Sequence, residues 1–461
     1  MSASNNVSTP HNFDWPLAYE GEALIRQRLD GFLAQHTYAR QLAGRMQSET
    51  GTDFFEWVDH LALSPDDETA LVKAGFVTDP NIFGPLGEVV LEHPRATLPR
   101  VLLRESAANP SLVAIKPEFA ADFVAANQLE AVIEGEPRSR YRRVEVAAEN
   151  GATLEAVERR AYRGFAAAEL EPGELAGILK TSELFATRPR HGQNDAAGFA
   201  AANERLREAL ALVGRDVACH LFFETERAYW ERRNRAARLQ KYRQDGLGLG
   251  WGNHDHHTFR SSRAHFADLI AFLDQLGFAK RERFYAGAEA GWGAQVSEQP
   301  VTGIVIFADV DLMPEDTTLD FSSRALPPAP QLRTVGLWTG LHGESFLQAG
   351  MHHLEARFDF NSLRDQLQQQ GVNLMKPFSD FEFLRQAFTE GERWAVNPER
   401  AERLAAAGLI TREQCAQFIR DGAIGSHLEN LQRHGGFKGF NQKAVSAIIA
   451  ATDPRKQAVQ H

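Results

Sequence analysis

The sequence predicts an α+β fold of paired half-barrel modules in βαβββ order, with long helical insertions and a degenerate first repeat. Two observations carry this prediction. Residues 38–76 and 235–278 read as copies of one another: YARQLAGRMQSETGTDFFEWVDHLAL runs on to LVKAGF, and RAARLQKYRQDGLGLGWGNHDHHTFR runs on to LDQLGF. Each copy also delivers an Asp-His pair at the start of a strand, Asp59-His60 and Asp255-His256, 196 residues apart. A histidine repeated at one strand position in a duplicated module suggests half-barrels closing around a metal.

Size and composition bound the reading. A chain of 461 residues exceeds what one hydrophobic core usually serves, so two domains or a pseudo-symmetric pair are expected. Apolar residues at 43% and charged residues at 24% are ordinary for a soluble globular protein. No apolar run approaches the roughly 18 residues of a membrane helix, and the N-terminus lacks the basic and apolar regions of a signal peptide. A cytoplasmic location without membrane attachment is therefore expected. The net charge of −11 disfavours nucleic acid and anionic membranes as partners. Cys219 and Cys415 are too few for a disulfide framework or thiolate cluster and read as small apolar residues within helices.

Four spans follow in order. Residues 1–17 read as a polar tail. In 18–106, the degenerate repeat, Leu24, Leu29, Phe32, Leu33 and Tyr38 recur at helical spacing, FFEWVDHLAL reads as a strand, and Ser64-Pro65 caps a short helix. EVVLEH and RVLLRE complete that unit. Residues 107–245 read as mostly helical, with 147–170 and the run ending at Gln244 as amphipathic helices. The basic stretch RSRYRR at 138–143 reads as a solvated face. In 246–461, the metal-binding modules, GLGLGWGN precedes a strand rather than following one, so it reads as a hinge and not a phosphate loop. Strand NHDHHTFR, helix RAHFADLIAFLDQLGF and strands around GAQVSEQ and TGIVIFADVDL come next. After the connector RALPPAPQL, a similar unit opens with GMHHLEARFDF and helix NSLRDQLQQQG. GAIGSHLENL reads as a strand preceded by a turn at Gly425-Ser426.

Residues two apart share a strand face, so His256, Thr258 and Arg260 point one way and His257 the other. The same rule groups His353, Glu355 and Arg357, with His352 opposite. A histidine taken alone is more often a hydrogen-bonded core or surface residue. Two HxxxR strands opening two successive units favour instead a cavity wall in which imidazole binds a metal and guanidinium an anion. Two imidazoles and one carboxylate form the non-haem Fe(II) arrangement, but strand pattern alone does not choose among 61 acidic residues.

DHHTFRSSRAHFADLIAFLDQLGF resembles the DHxxFR opening of the 2-oxoadipate dioxygenase/decarboxylase family. GMHHLEAR is similar to that family's second histidine strand, GSHLENLQR to its glutamate strand, and RHGGFKGFNQKAVSAI to its C-terminal segment. The resemblance covers about 245–455 and implies a vicinal-oxygen-chelate-like fold. It implies His256, His353 and Glu429 as Fe(2+) ligands, Arg260 as the holder of a substrate carboxylate, and Gly439 or its neighbour Phe440 near the substrate. It further implies that a 2-oxo dicarboxylic acid such as 2-oxoadipate reacts with O2 to give a 2-hydroxyglutarate-like acid and CO2.

The first copy has Ser64 where Arg260 stands, so His60 reads as a structural remnant rather than a second metal ligand. An oxygen-independent metal-dependent isomerase or lyase, or a non-catalytic small-molecule binding protein, are the alternatives on the same scaffold. A homo-oligomer is left open.

Overall fold

The computed structural model describes residues 15–167, 169–318, 320–441, 449 and 452–455. Most of the expected tail and residues 442–448 of the C-terminal motif lie outside them. Four strand-helix-strand modules build two sheets. The first module comprises β1 (Val58–Leu63), helix Glu68–Lys73, β2 (Val77–Phe83), β3 (Val89–Glu92) and β4 (Arg100–Leu103). The second comprises β5 (Leu112–Ile115), helix Ala120–Ala126, β6 (Tyr141–Glu149) and β7 (Ala152–Arg159), one strand short. Together they form a seven-stranded sheet in the order β2-β3-β4-β1-β5-β7-β6.

The second half repeats this plan with both modules complete. Its third module is β8 (His254–Arg260), helix Phe266–Gln275, β9 (Ala279–Tyr285), β10 (Trp292–Glu298) and β11 (Val305–Asp311). Its fourth is β12 (His353–Arg357), helix Phe360–Gln369, β13 (Ser379–Phe381), β14 (Leu384–Phe388) and β16 (Ala423–Arg433). Strand β15 (Glu392–Trp394) and helices Pro398–Ala406 and Arg412–Asp421 are inserted before β16. The order is β13-β14-β16-β12-β8-β11-β10-β9, with β15 on β16. In each complete module the first and last strands pair in parallel, β1 with β4, β8 with β11 and β12 with β16. The modules join through antiparallel pairs of their first strands, β1 with β5 and β8 with β12. This is the vicinal-oxygen-chelate arrangement, present twice.

The span 107–245 corrects the sequence reading. Residues 147–170 do not form a helix: β6 and β7 make a hairpin whose turn is Asn150-Gly151, with φ of 53° and 77°. Asn-Gly suits that turn because both positions need positive φ. The Ala, Glu and Arg content around it favours helix locally, and pairing with β5 overrides that propensity. Nor is RSRYRR a wholly solvated face, since Arg142 is buried 3.1 Å from Glu158. The long helices begin at Glu174–Ala186 and continue through Asp195–Glu231, kinked at Gly214, and Arg235–Asp245. Phe185, Phe222 and Phe223 carry them onto Phe259, Ile306 and Leu354 of the second sheet. Cys219 and Cys415 are buried in helices, as expected. No described helix is long and apolar enough to cross a membrane.

Gly425 corrects another expectation. It lies inside β16, not in a turn, and a Cβ there would come 1.9 Å from the Trp394 ring. The glycine lets tryptophan pack on the strand that carries Glu429.

Backbone hydrogen bonds tie the first half to the segment after β16, Ala18 N–H to Gly435 O at 2.7 Å and Thr97 N–H to Gly436 O at 2.8 Å. Glu22 completes the seam by accepting from Gly436 N–H and pairing with Arg26 at 2.7 Å. Burial opposes its charge, but His434, Arg26 and the Gly436 amide outweigh that and lower its pKa to about 2. A depressed folded pKa stabilises fully above the unfolded carboxyl pKa and is lost as pH falls through about 2. Glu22→Gln is therefore expected to lower stability by about 2 kcal/mol at pH 7 in chemical denaturation. The difference between the two proteins should shrink steadily below pH 4.5.

Candidate metal centre

The strand registers assemble the site. On β8, His256 lies opposite Glu355 of β12, and Thr258 lies opposite His353. On β16, Glu429 lies beside Glu355. Strand alternation points His256, His353 and Glu429 into one cavity inside the curled second sheet. Their potential ligand atoms all lie within 4.8 Å of one another. Glu429 Oε2 is 3.0 Å from His353 Nε2 and 3.8 Å from His256 Nε2. The Thr258 hydroxyl sits 2.9 Å from the same His353 nitrogen.

His256 and Glu429 are supported from behind. His256 Nδ1 lies 2.8 Å from Glu355 Oε1 and 3.4 Å from Asp255 Oδ1. Arg433 in turn reaches Asp255 at 3.1 Å and Glu355 at 3.5 Å. Gln386 of β14 donates from its amide to both Glu355, at 2.9 Å, and Glu429, at 3.1 Å. A carboxylate on the far imidazole nitrogen sets the tautomer and leaves Nε2 free to act as a donor.

The electrostatics show what the cluster lacks. Burial opposes a charge on His256, but Glu355, Asp255 and Glu429 outweigh it and raise its pKa to about 10. Burial and the neighbouring His256 hold His353 well below the usual imidazole range, and so neutral. Burial and the facing Glu429 push Glu355 up to about 8, and burial also raises Glu429. Buried carboxylates facing each other with raised pKa values mark a site short of positive charge, which a divalent cation would supply. Two imidazole nitrogens, one carboxylate oxygen and no sulfur suit a first-row divalent ion. His256, His353 and Glu429 can therefore hold a metal.

The cavity is walled by Trp292, Phe307, Phe378, Phe388 and Phe440. Arg260 also lines it, 1% exposed, with Nε and Nη1 lacking any hydrogen-bond partner. Its nearest carboxylate is Asp309 of β11, 3.9 Å away, and its guanidinium lies 5.6 Å from the Trp338 ring centre. Burial lowers the Arg260 pKa to about 10 and raises that of Asp309 to about 7 against the pull of Arg260.

Other expected residues go elsewhere. Phe440 lines the cavity, whereas Gly439 lines an outer cleft and its carbonyl accepts from Arg433. Arg357 turns away from the cavity toward Glu56 of the first half, 3.6 Å away. Asp309 and Gln386 were missed by sequence reasoning; their position in strands following the histidine strands was the available signal, without a register to place them.

The registers also explain the first half. His60 lies opposite Ala114 as His256 lies opposite Glu355, and Glu155 lies beside Ala114 as Glu429 lies beside Glu355. Counting along the strands places Leu112 at the position of His353 and Ala62 at that of Thr258. One imidazole of the three ligands is thus replaced by an apolar side chain. His60 Nδ1 is 2.7 Å from Asp59 Oδ2, and burial lowers its pKa to about 4. Among the described residues it belongs to no group of three potential ligands.

No protein-family model matches the chain, and no curated protein matches it. Solved structures with some likeness include a putative hydrolase from Shewanella frigidimarina NCIMB 400, at 14% identity and TM-score 0.33, covering 47% of this chain and 95% of that one. A mutant 4-hydroxymandelate synthase from Streptomyces coelicolor aligns at 14% identity and TM-score 0.29, over 87% of this chain and 98% of that one. Methylmalonyl-CoA epimerase from Mycobacterium tuberculosis aligns at 15% identity and TM-score 0.22, over 40% and 88%. Likeness at these scores does not carry an activity across.

Replacing Glu355 by Gln keeps its shape but removes the charge behind His256. Metal titration is expected to show affinity falling about 10- to 100-fold, with the fold retained by circular dichroism. An unchanged affinity would remove Glu355 from the site.

Proposed function

We propose that this protein is an Fe(II)-dependent dioxygenase/decarboxylase. Its substrate is a 2-oxo dicarboxylic acid of the 2-oxoadipate type, and its products are the 2-hydroxy acid one carbon shorter and CO2. The observation that carries the reading is the two-histidine, one-carboxylate cluster sharing a cavity with the buried, incompletely partnered guanidinium of Arg260. When bound, Fe(II) would supply the redox chemistry and the open coordination positions that O2 and a chelating 2-oxo acid require.

The chain's own residues do the rest. Arg260 gives the substrate carboxylate a charge-assisted partner in a dry site, where such a pair is strongest. That anchor fixes which carbon of the acid lies next to the metal ligands. Phe307, Phe388, Phe440 and Trp292 exclude water around the reacting atoms. Glu355 faces Nδ1 of His256 and keeps a proton there, so that Nε2 remains the donor. Asp309, beside Arg260, limits how far the guanidinium can swing.

The direct test is oxygen uptake by anaerobically purified, Fe(II)-reconstituted protein given a panel of 2-oxo acids, 2-oxoadipate first. Oxygen consumption with one CO2 and one hydroxy acid per O2 is expected for one member of the panel. Turnover under strict anaerobiosis would replace this reading with an isomerase or lyase, and absence of metal binding would leave a binding protein.

Arg260→Ala is expected to lower kcat/KM by about 100-fold, mostly through KM, with iron content unchanged. Arg260→Lys should recover little, because a lysine lacks the planar two-pronged donor. Loss of iron from Arg260→Ala would contradict the assigned role.

A further inference from the structure

Residues of the two halves line a second space, a cleft that shares His256 and Phe307 with the metal-ligand cavity. It is built from both sheets. Arg100, Lys116 and Arg159 enter from the first half, and Arg357 and Arg433 from the second. The registers described above make these residues equivalents: Lys116 corresponds to Arg357, Arg159 to Arg433 and Asp59 to Asp255. In both halves the arginine after the last strand's glutamate holds that aspartate, Arg159 Nε to Asp59 at 2.7 Å and Arg433 Nη2 to Asp255 at 3.1 Å. The first half lacks one imidazole of the metal-ligand set and shares this cationic rim.

The outer part of the cleft is balanced. Arg163 pairs with Glu92, and Arg281 and Lys438 both reach Glu298. Its deep end is not. Arg100, Lys116, Arg159 and Arg357 converge there, opposed by Asp59 and by Glu56. Burial raises the Glu56 pKa to about 7 despite Arg357, so this carboxyl offers only part of a charge at neutral pH. Burial chiefly, with Arg357, Arg159 and Arg100 nearby and against the pull of Asp59, lowers the Lys116 pKa to about 8. Arg159 Nη2, Arg357 Nε and Arg433 Nε are buried without a hydrogen-bond partner. The Lys116 amine makes no hydrogen bond or ion pair among the described residues. Unmatched buried donors are costly, and an oxyanion carrying several acceptor oxygens would satisfy them together. Against a chain charge of −11, such a positive pocket must be built locally.

We propose that the cleft between the halves is a second anion-binding site, separate from Arg260, which takes a multiply charged oxyanion group, a phosphate ester or a polycarboxylate, on Lys116, Arg100, Arg159 and Arg357. It stands independently of the proposed reaction, since none of these four residues lines the metal-ligand cavity.

The test is calorimetric titration of the full-length chain, at constant ionic strength, with inorganic phosphate and with citrate. Binding of at least one probe is expected, and preference for phosphate or for citrate identifies the phosphate-ester or polycarboxylate class. Lys116→Met, which keeps the stem and removes the charge, should weaken binding by about tenfold or more, and Lys116→Arg should restore it. Arg260→Ala should leave it unchanged. If Lys116→Met does not fold, as judged by circular dichroism, Arg357→Gln takes its place with the same expectation. The proposal is overturned if neither probe binds, if the charge-removing variants bind as well as the parent, or if Arg260→Ala abolishes binding.

Discussion

The antiparallel pairing of β8 with β12 is the constraint on which the rest of the site depends. It joins two modules whose loops and insertions differ, and its register alone sets His256 against Glu355 and Thr258 against His353. The parallel pairing of β12 with β16 then brings Glu429 beside Glu355. Because side chains alternate with period two, a slip of one residue in either ladder would turn the ligands into the core and the core into the cavity. The register is held from outside the cavity by Leu354, Ala356 and Leu428, all buried under the helices of residues 174–245. Apolar packing on one face of three strands thus fixes polar geometry on the other.

That geometry is electrostatically expensive, and comparison within the molecule shows how it differs from a structural ion cluster. Glu226 is as deeply buried as Glu355, yet Arg188 and Arg190 on either side outweigh its burial and keep it below the ordinary carboxylate range. Glu355 and Glu429 face each other instead, share one amide from Gln386, and are pushed above that range. Arg433 is shared between Asp255 and Glu355 and leaves both glutamates raised. A buried cluster built for stability alone would gain from another arginine or from apolar replacement. One left short of positive charge, with three donor atoms converging, has the arrangement of a candidate cation site.

What could be read in the sequence follows from the range over which each signal acts. Strand alternation is local, so the grouping of His256, Thr258 and Arg260, and of His353 with Glu355, needed no knowledge of the fold. Arg357 shares that spacing but sits at the strand end, where the first half offers Glu56. The β6–β7 hairpin was hidden because alanine, glutamate and arginine favour helix and only Asn150-Gly151 spoke for a turn. β9, with the charged sequence AKRERFY, is an edge strand exposed along part of its length, and so lacked an apolar pattern. Gly425 looked like a turn residue when its glycine serves the approach of Trp394, a contact between segments 31 residues apart. Asp309 and Gln386 reach the cavity through pairings that no local pattern encodes.

The first half shows that the fold and the metal site are separable. Leu61, Val113, Leu154 and Ala156 keep the packing face of its sheet apolar, so the ladders retain their register although the chemistry has changed. Leu112 in place of a histidine removes a ligand, and Ala114 removes the carboxylate that would stand behind His60. With that support absent, His60 turns to Asp59, and Glu155 lies 3.7 Å from Arg143. Arg159, His60 and Arg100 outweigh burial and hold the Asp59 carboxyl well below the usual carboxylate range. Like Asp255 with His256 and Arg433, it contacts the neighbouring imidazole and also anchors a cation of the cleft between the halves. The two halves therefore share one scaffold, and Leu112 and Ala114 at the positions of His353 and Glu355 separate a positively charged wall in the first from a candidate metal centre in the second.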